Sequence, residues 1–231
     1  MARSPNLREP SARSTQKLIA FLALVGTVSL LNYAGNIAAH PKKSVTENAF
    51  YHYSTAVSAL VIYAIMFLFV CWIAGWHRKL LAYRQPKKWL PALGLAALVL
   101  LATFVVSFLL EPVLHAGREQ GALPEVWKPQ HAAAYAANWI VVAGVAPFVE
   151  ESTYRGLGYS LFDARWGKWI AIVGVGVAFG LSHGLVQALP VLIFFGSALA
   201  WLRSRVDSVY PGMLVHSAFN SLGLAAVFFH H

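Results

Sequence analysis

Six stretches of this chain carry no Asp, Glu, Lys or Arg: 18–41, 48–77, 89–110, 129–149, 169–202 and 208–231. Most are long enough for the roughly 20 residues that take a helix across a bilayer. The stretch 169–202 has 34 residues, too many for one straight span, and His183-Gly184 and Pro190 interrupt it. It reads as two short helices with a tight turn near 184–190. Seven spans result, and the expected fold is an all-α polytopic membrane helix bundle.

Composition agrees with this reading. The chain is 58% hydrophobic and 12% charged, about half the charged share of a soluble protein. Its formal charge of +9 sits in clusters between the apolar runs, the pattern that orients membrane proteins rather than one that binds nucleic acid. Arg3, Arg8, Arg13 and Lys17 precede the first span, and Arg78, Lys79, Arg84, Lys87 and Lys88 follow the second. The loops at 40–47 and 111–128 instead mix Lys42, Lys43, Arg118 and Lys128 with Glu47, Glu111, Glu119 and Glu125. The N-terminus is therefore expected in the cytoplasm. Arg165 with Lys168 and Arg203 with Arg205 share that side only if 169–202 is a hairpin, which leaves the C-terminus outside.

Residues 1–17 read as a basic, disordered cytoplasmic tail leaning on anionic headgroups, 18–129 as N-terminal transmembrane helices, and 130–231 as a C-terminal transmembrane core. A cleaved signal peptide ending near Ala38-Ala39 is the rival for residues 1–39, but the preamble is long and the apolar stretch is close to full span length. There is no internal repeat, which counts against transporters built from duplicated halves. The single cysteine, Cys71, excludes an intrachain disulfide, a cysteine metal cluster and a CxxC pair, and reads as a packing residue.

Ionisable groups inside spans are costly enough to be functional candidates. Of the acids, only Glu150 and Glu151 stand away from loops, on a helix expected over 132–162; of the histidines, only His183 and His216 lie deep. His40, His52, His77, His115 and His131 read as interfacial, and His230 and His231 end the chain. Arg155 follows Glu151 by one turn and can neutralise it. Glu150 is left over, and Pro147 one turn upstream is expected to kink the helix. A helix end in the headgroup region is the blander reading of the two acids. Counting 1.5 Å per residue from the cytoplasmic boundary, however, puts Glu150 about 20 Å deep, His183 about 22 Å and Asn220 about 18 Å. Phe179 and His183 share one helix face, as do His216 and Asn220. Either histidine alone is equally well a packing residue; with Glu150 they make one site.

A carboxylate beside a neutral imidazole can take a proton from water, while a second imidazole and a carboxamide can donate to the oxyanion of a tetrahedral intermediate. Amide hydrolysis fits that set. A serine protease fits less well, because GxSxG is absent and no aspartate reaches the site depth.

Glu150-Glu151-xxx-Arg155, Phe179-xxx-His183 and His216-xxx-Asn220, in that order over residues 130–225, resemble the CPBP family, which includes CAAX prenyl endopeptidases of the Rce type and bacteriocin-processing or immunity relatives. The resemblance implies an intramembrane glutamic endopeptidase of the bacterial inner membrane. Glu150 would be the base acting with His183 on water, Glu151 and Arg155 the supporting pair, and His216 with Asn220 the oxyanion site. The implied partners are the bilayer and a membrane-associated or hydrophobic protein or peptide, with no nucleic acid and no cofactor. Ser152-Thr153-Tyr154 is more polar than that motif usually is, which bears on substrate preference.

Three alternatives stand beside it. One is a non-catalytic protein of the same fold that binds a partner or confers peptide immunity. Another is a zinc protease using Glu150, His183 and His216; against it, no HExxH is present, Asn220 would be a poor ligand and Arg155 adds positive charge. A carrier or a bis-histidine haem protein is the third. The expectation is no metal.

Overall fold

A computed structural model of the chain describes residues 12–39, 48–116, 123–124 and 127–229. The expectations for tail positions 1–11, His40, the charges of the 40–47 loop, Arg118, Glu119, Glu125, His230 and His231 lie outside the described residues.

Among the described residues every regular element is helical. The main helices are α1 (Ala12–Ala39), α2 (Tyr53–Ala74), α3 (Trp89–Leu114), α4 (Pro129–Trp166), α5 (Lys168–Leu181), α6 (Leu189–Val206) and α7 (Tyr210–Ala225). All but the 14-residue α5 are long and apolar enough to cross a membrane, α7 together with the 3-10 turn that extends it to Phe228. Helices suit hydrocarbon because their backbone polar groups are satisfied within the segment. Leu18, Phe21 and Val25 of α1 are buried in the bundle at helical spacing. Ile62 and Ile65 of α2 and Leu90 and Phe108 of α3 face outward, as lipid-contacting side chains do. The chain is an integral membrane protein.

α1 includes Ser14–Lys17, which the sequence places in a disordered tail. There Lys17 Nζ donates to Ala74 O at 3.1 Å, satisfying a carbonyl at the negative end of α2.

α4 is composite and longer than the expected 132–162. Behind a 3-10 turn at Pro129–His131 come α-helical segments Ala132–Ile140, Ala146–Glu150 and Tyr159–Trp166, with π-helical turns at Val141–Val145 and Glu151–Gly158 between them. Gly167, at φ 84°, ends the helix. Pro147 follows the first π turn. In the π register the amide of residue i+5 bonds the carbonyl of residue i, as Ala146 N does with Val141 O. The next pair would be residue 147 with Val142, and proline has no N–H to give.

α5 and α6 form the expected hairpin. Gly176 and Gly180 of α5 meet Gly196, Ser197 and Ile193 of α6 so closely that a Cβ on Gly196 would lie 2.9 Å from Gly176 Cα; small residues let the two backbones approach. α5 ends at Leu181, so His183 sits in the turn beyond it and not within the helix. Gly184 (φ 68°) completes that turn.

Loop 75–88 closes the end of the bundle where the basic clusters lie. Leu81 and Ala82 are buried, and Leu81 O stands 2.8 Å from where a Cβ on Gly156 would be, so α4 needs glycine there. Ser160 donates to Leu80 O at 2.9 Å, and Asp207 holds Arg84 and Arg203. At the opposite end Tyr51, Trp127, Tyr135 and Phe228 pack together, aromatic residues of the kind that collect at a membrane interface.

Candidate active site

The two acids stand where the second π turn of α4 begins. Glu151 and Arg155 are completely buried, with Arg155 Nη1 2.8 Å from Glu151 Oε1. Arg155 Nη2 donates to Gly196 O at 3.1 Å, and its guanidinium lies 4.4 Å from the centre of the Phe179 ring. The pair thereby ties α4 to both arms of the hairpin. Glu151 is thus matched by a counter-charge within the bundle.

Glu150 faces elsewhere. Its Oε1 accepts from the Tyr63 hydroxyl of α2 at 2.8 Å, while Oε2, 3.8 Å from His216 Nε2, is buried with no hydrogen-bond partner. Such an oxygen is rare enough in a folded protein to call for a functional explanation. His216 stands between the acids: Nδ1 is 3.2 Å from Glu151 Oε1, and the ring packs edge-on against Phe179 and Phe195.

A cavity of about 1080 Å³ lies between α1 and α2, with Glu150, Tyr154, Ser182 and His183 on its inner wall. Leu31, Ile62, Ile65 and Trp72 on its outer rim are each more than half exposed, so it opens to the side of the bundle between these two helices. His183 Nδ1 pairs with Phe179 O at 2.7 Å. Asn32 and Asn36 of α1, one turn apart, donate to Ser182 O and Gly184 O at 2.6 and 2.7 Å and pin the turn that presents His183.

Of the six residues expected at the site, Glu150 and His183 line the cavity, His216 adjoins Glu150, and Glu151 with Arg155 forms the buried pair behind it. Asn220 lies apart from the cavity wall, its Nδ2 donating to Val142 O at 2.8 Å. That is the carbonyl Pro147 leaves without a donor, so the carboxamide here completes the π turn. Ser152 and Thr153, the polar departure in the motif, are buried and donate back to Phe148 O and Val149 O. Ser152 also bonds the Tyr83 hydroxyl, whose pKa burial pushes up to about 12.

Sequence reasoning missed Tyr63, Asn32 and Asn36 because it followed ionisable groups. Two amides one turn apart in an apolar helix, and a tyrosine in the middle of a span, were the available signals. Among the described residues no group of three or more His, Cys, Asp or Glu side chains is arranged to hold a metal ion.

Residues 132–222 match the family described as type II CAAX prenyl endopeptidase Rce1-like. No curated protein and no solved structure matches the chain. The match takes in Glu150, Glu151, Arg155, His183, His216 and Asn220 and stops short of α1–α3. Together with the membrane-spanning fold and the buried acid–histidine cluster, this similarity supports assigning residues 132–222 to the CPBP/CAAX protease family, a family of membrane peptidases.

Proposed function

We propose that the protein is an intramembrane glutamic endopeptidase that cleaves a membrane-associated or hydrophobic peptide at the wall of the α1–α2 cavity. The observation that carries this is the contrast between adjacent carboxylates: each leaves its Oε2 without a hydrogen bond, but Glu151 has the Arg155 guanidinium as counter-ion, whereas Glu150 has only a tyrosine hydroxyl and faces His216. A carboxylate without a counter-cation, in a low-dielectric wall, is a base placed where a proton must be taken.

Glu150 Oε2 takes a proton from water as the water oxygen attacks the scissile carbonyl carbon. The carbonyl electron pair moves onto its oxygen, forming a tetrahedral oxyanion. Collapse of that intermediate breaks the C–N bond, and the proton held by Glu150 passes to the departing nitrogen, so one water yields one carboxyl and one amine end. His183, on the same wall, orients the water or the carbonyl; His216, fixed by Glu151, tunes Glu150 from behind. For Asn220 to serve the oxyanion, its amide must first exchange Val142 O for substrate.

The apolar cavity walls and their opening between α1 and α2 favour a substrate that arrives from the bilayer. Terminal proteomics of membranes containing wild-type protein or Glu150→Gln tests the proposal. Neo-termini that appear with the former alone support it and identify the bond; identical termini in both reject it.

A further inference from the structure

The unpaired oxygen of Glu150 is defined by what holds the other one. Tyr63 lies in the middle of α2, outside the family match, in a helix otherwise dominated by apolar side chains. A hydroxyl at such a place is costly without a partner, and Tyr63 directs its own at Glu150 Oε1, 2.8 Å away. We infer that Tyr63 is a positioning residue for Glu150: by occupying Oε1 it turns Oε2 toward His216 and leaves that oxygen as the single basic site. This rests on the reading of Glu150 as the base.

A carboxylate has two equivalent oxygens and free rotation about its terminal bond. A phenol donating to one oxygen removes the equivalence, stops the rotation and favours the ionised form. Tyr63 can do this without adding charge, whereas a lysine or arginine there would quench the base as Arg155 quenches Glu151. Because Tyr63 belongs to the cavity wall with Ala59, Ile62 and Met66, the same helix that contacts a substrate fixes the base.

The groups that bear on Glu150 are few. Tyr63 comes from α2; Glu151, Tyr154 and Arg155 from α4; His183 from the α5–α6 turn; and His216 from α7. The side chains that α1 gives to the cavity are apolar, hydroxyl or amide. Tyr63→Phe removes a single donor from this set and keeps the ring.

The experiment is a pH titration of full-length protein in lipid nanodiscs by infrared difference spectroscopy, with the protonated carboxyl band of Glu150 identified by its loss in Glu150→Gln. In Tyr63→Phe the midpoint should rise by about 1–2 pH units, the equivalent of one hydrogen bond to a charged group. A ring-fluorinated tyrosine at position 63, a stronger donor, should move it the other way. An unmoved midpoint in Tyr63→Phe, or shifts of the same sign in both variants, overturns the inference. A prenylated CAAX peptide serves as the turnover probe. Tyr63→Phe should lower kcat, move the acid limb of kcat upward and leave KM within about twofold. A wild-type profile in Tyr63→Phe with an inactive Glu150→Gln rejects the role of Tyr63 alone; full activity in Glu150→Gln rejects the glutamate mechanism and the positioning role together.

Discussion

Arg155→Met separates the structural acid from the chemical one. Met keeps much of the stem volume but removes the donor 2.8 Å from Glu151 Oε1 and the donor 3.1 Å from Gly196 O. Glu151 has no exposed surface, and its Oε2 already lacks a partner. The carboxylate then keeps only His216 Nδ1, at 3.2 Å. Breaking one side of a buried pair costs about 3–5 kcal/mol, because a charge remains in low dielectric. Removing both charges, in Arg155→Met with Glu151→Met, leaves no uncompensated buried charge, although Gly196 O and His216 Nδ1 lose a partner, and should recover part of that loss, with a coupling energy of about 2–3 kcal/mol. Reversible unfolding in mixed SDS micelles, followed by far-ultraviolet circular dichroism, measures all four corners of the cycle. Single-mutant losses that add to within about 0.5 kcal/mol would refute the claim that Arg155 and Glu151 compensate each other as a buried pair.

Other expectations follow from the same geometry. Asn220→Ala should destabilise by about 1–3 kcal/mol by leaving a carbonyl unsatisfied. The loss should shrink in a Pro147→Ala background, where residue 147 regains its amide; an equal loss in both would separate Asn220 from the π turn. At Asp207, burial alone would raise the carboxyl pKa, but the hydrogen bonds from Arg84 and Arg203 outweigh it and hold the group below the usual carboxylate range. A lowered folded value means that this contribution is present above the unfolded pKa and lost as pH falls through the folded one. Asp207→Asn should therefore flatten the acid side of the stability profile, by a small amount because the side chain is largely exposed; an unchanged acid side would show that the cluster does not stabilise. Activity should also survive 1,10-phenanthroline and EDTA, and loss on chelation with recovery on adding zinc would make His183 and His216 ligands.

What could be read in the sequence was the part governed by charge and length. The charge-free stretches mark the helices, and His183-Gly184 with Pro190 marks the hairpin turn. The spacing of Glu151 and Arg155 gives their ion pair. What stayed hidden depends on hydrogen-bond register. Nothing in the composition of Val141–Val145 or Glu151–Gly158 distinguishes an i+5 helix from an i+4 helix. Pro147 signalled a missing donor, which reads equally as a kink, and only the fold shows Asn220 supplying the replacement. Tyr63, Asn32 and Asn36 are neutral, so counting charges passes over them, and their partners are 87, 150 and 148 residues away in the chain.

Turnover of one peptide by reconstituted wild-type, Glu150→Gln and Glu151→Gln protein, with folding of each variant verified by SDS unfolding, separates the tasks proposed for the two neighbouring glutamates. Glu150→Gln should be as stable as wild type and lose turnover by about 100-fold or more, the range of a lost general base, while Glu151→Gln should lose stability together with activity. Wild-type turnover in a folded Glu150→Gln protein would contradict this division of tasks.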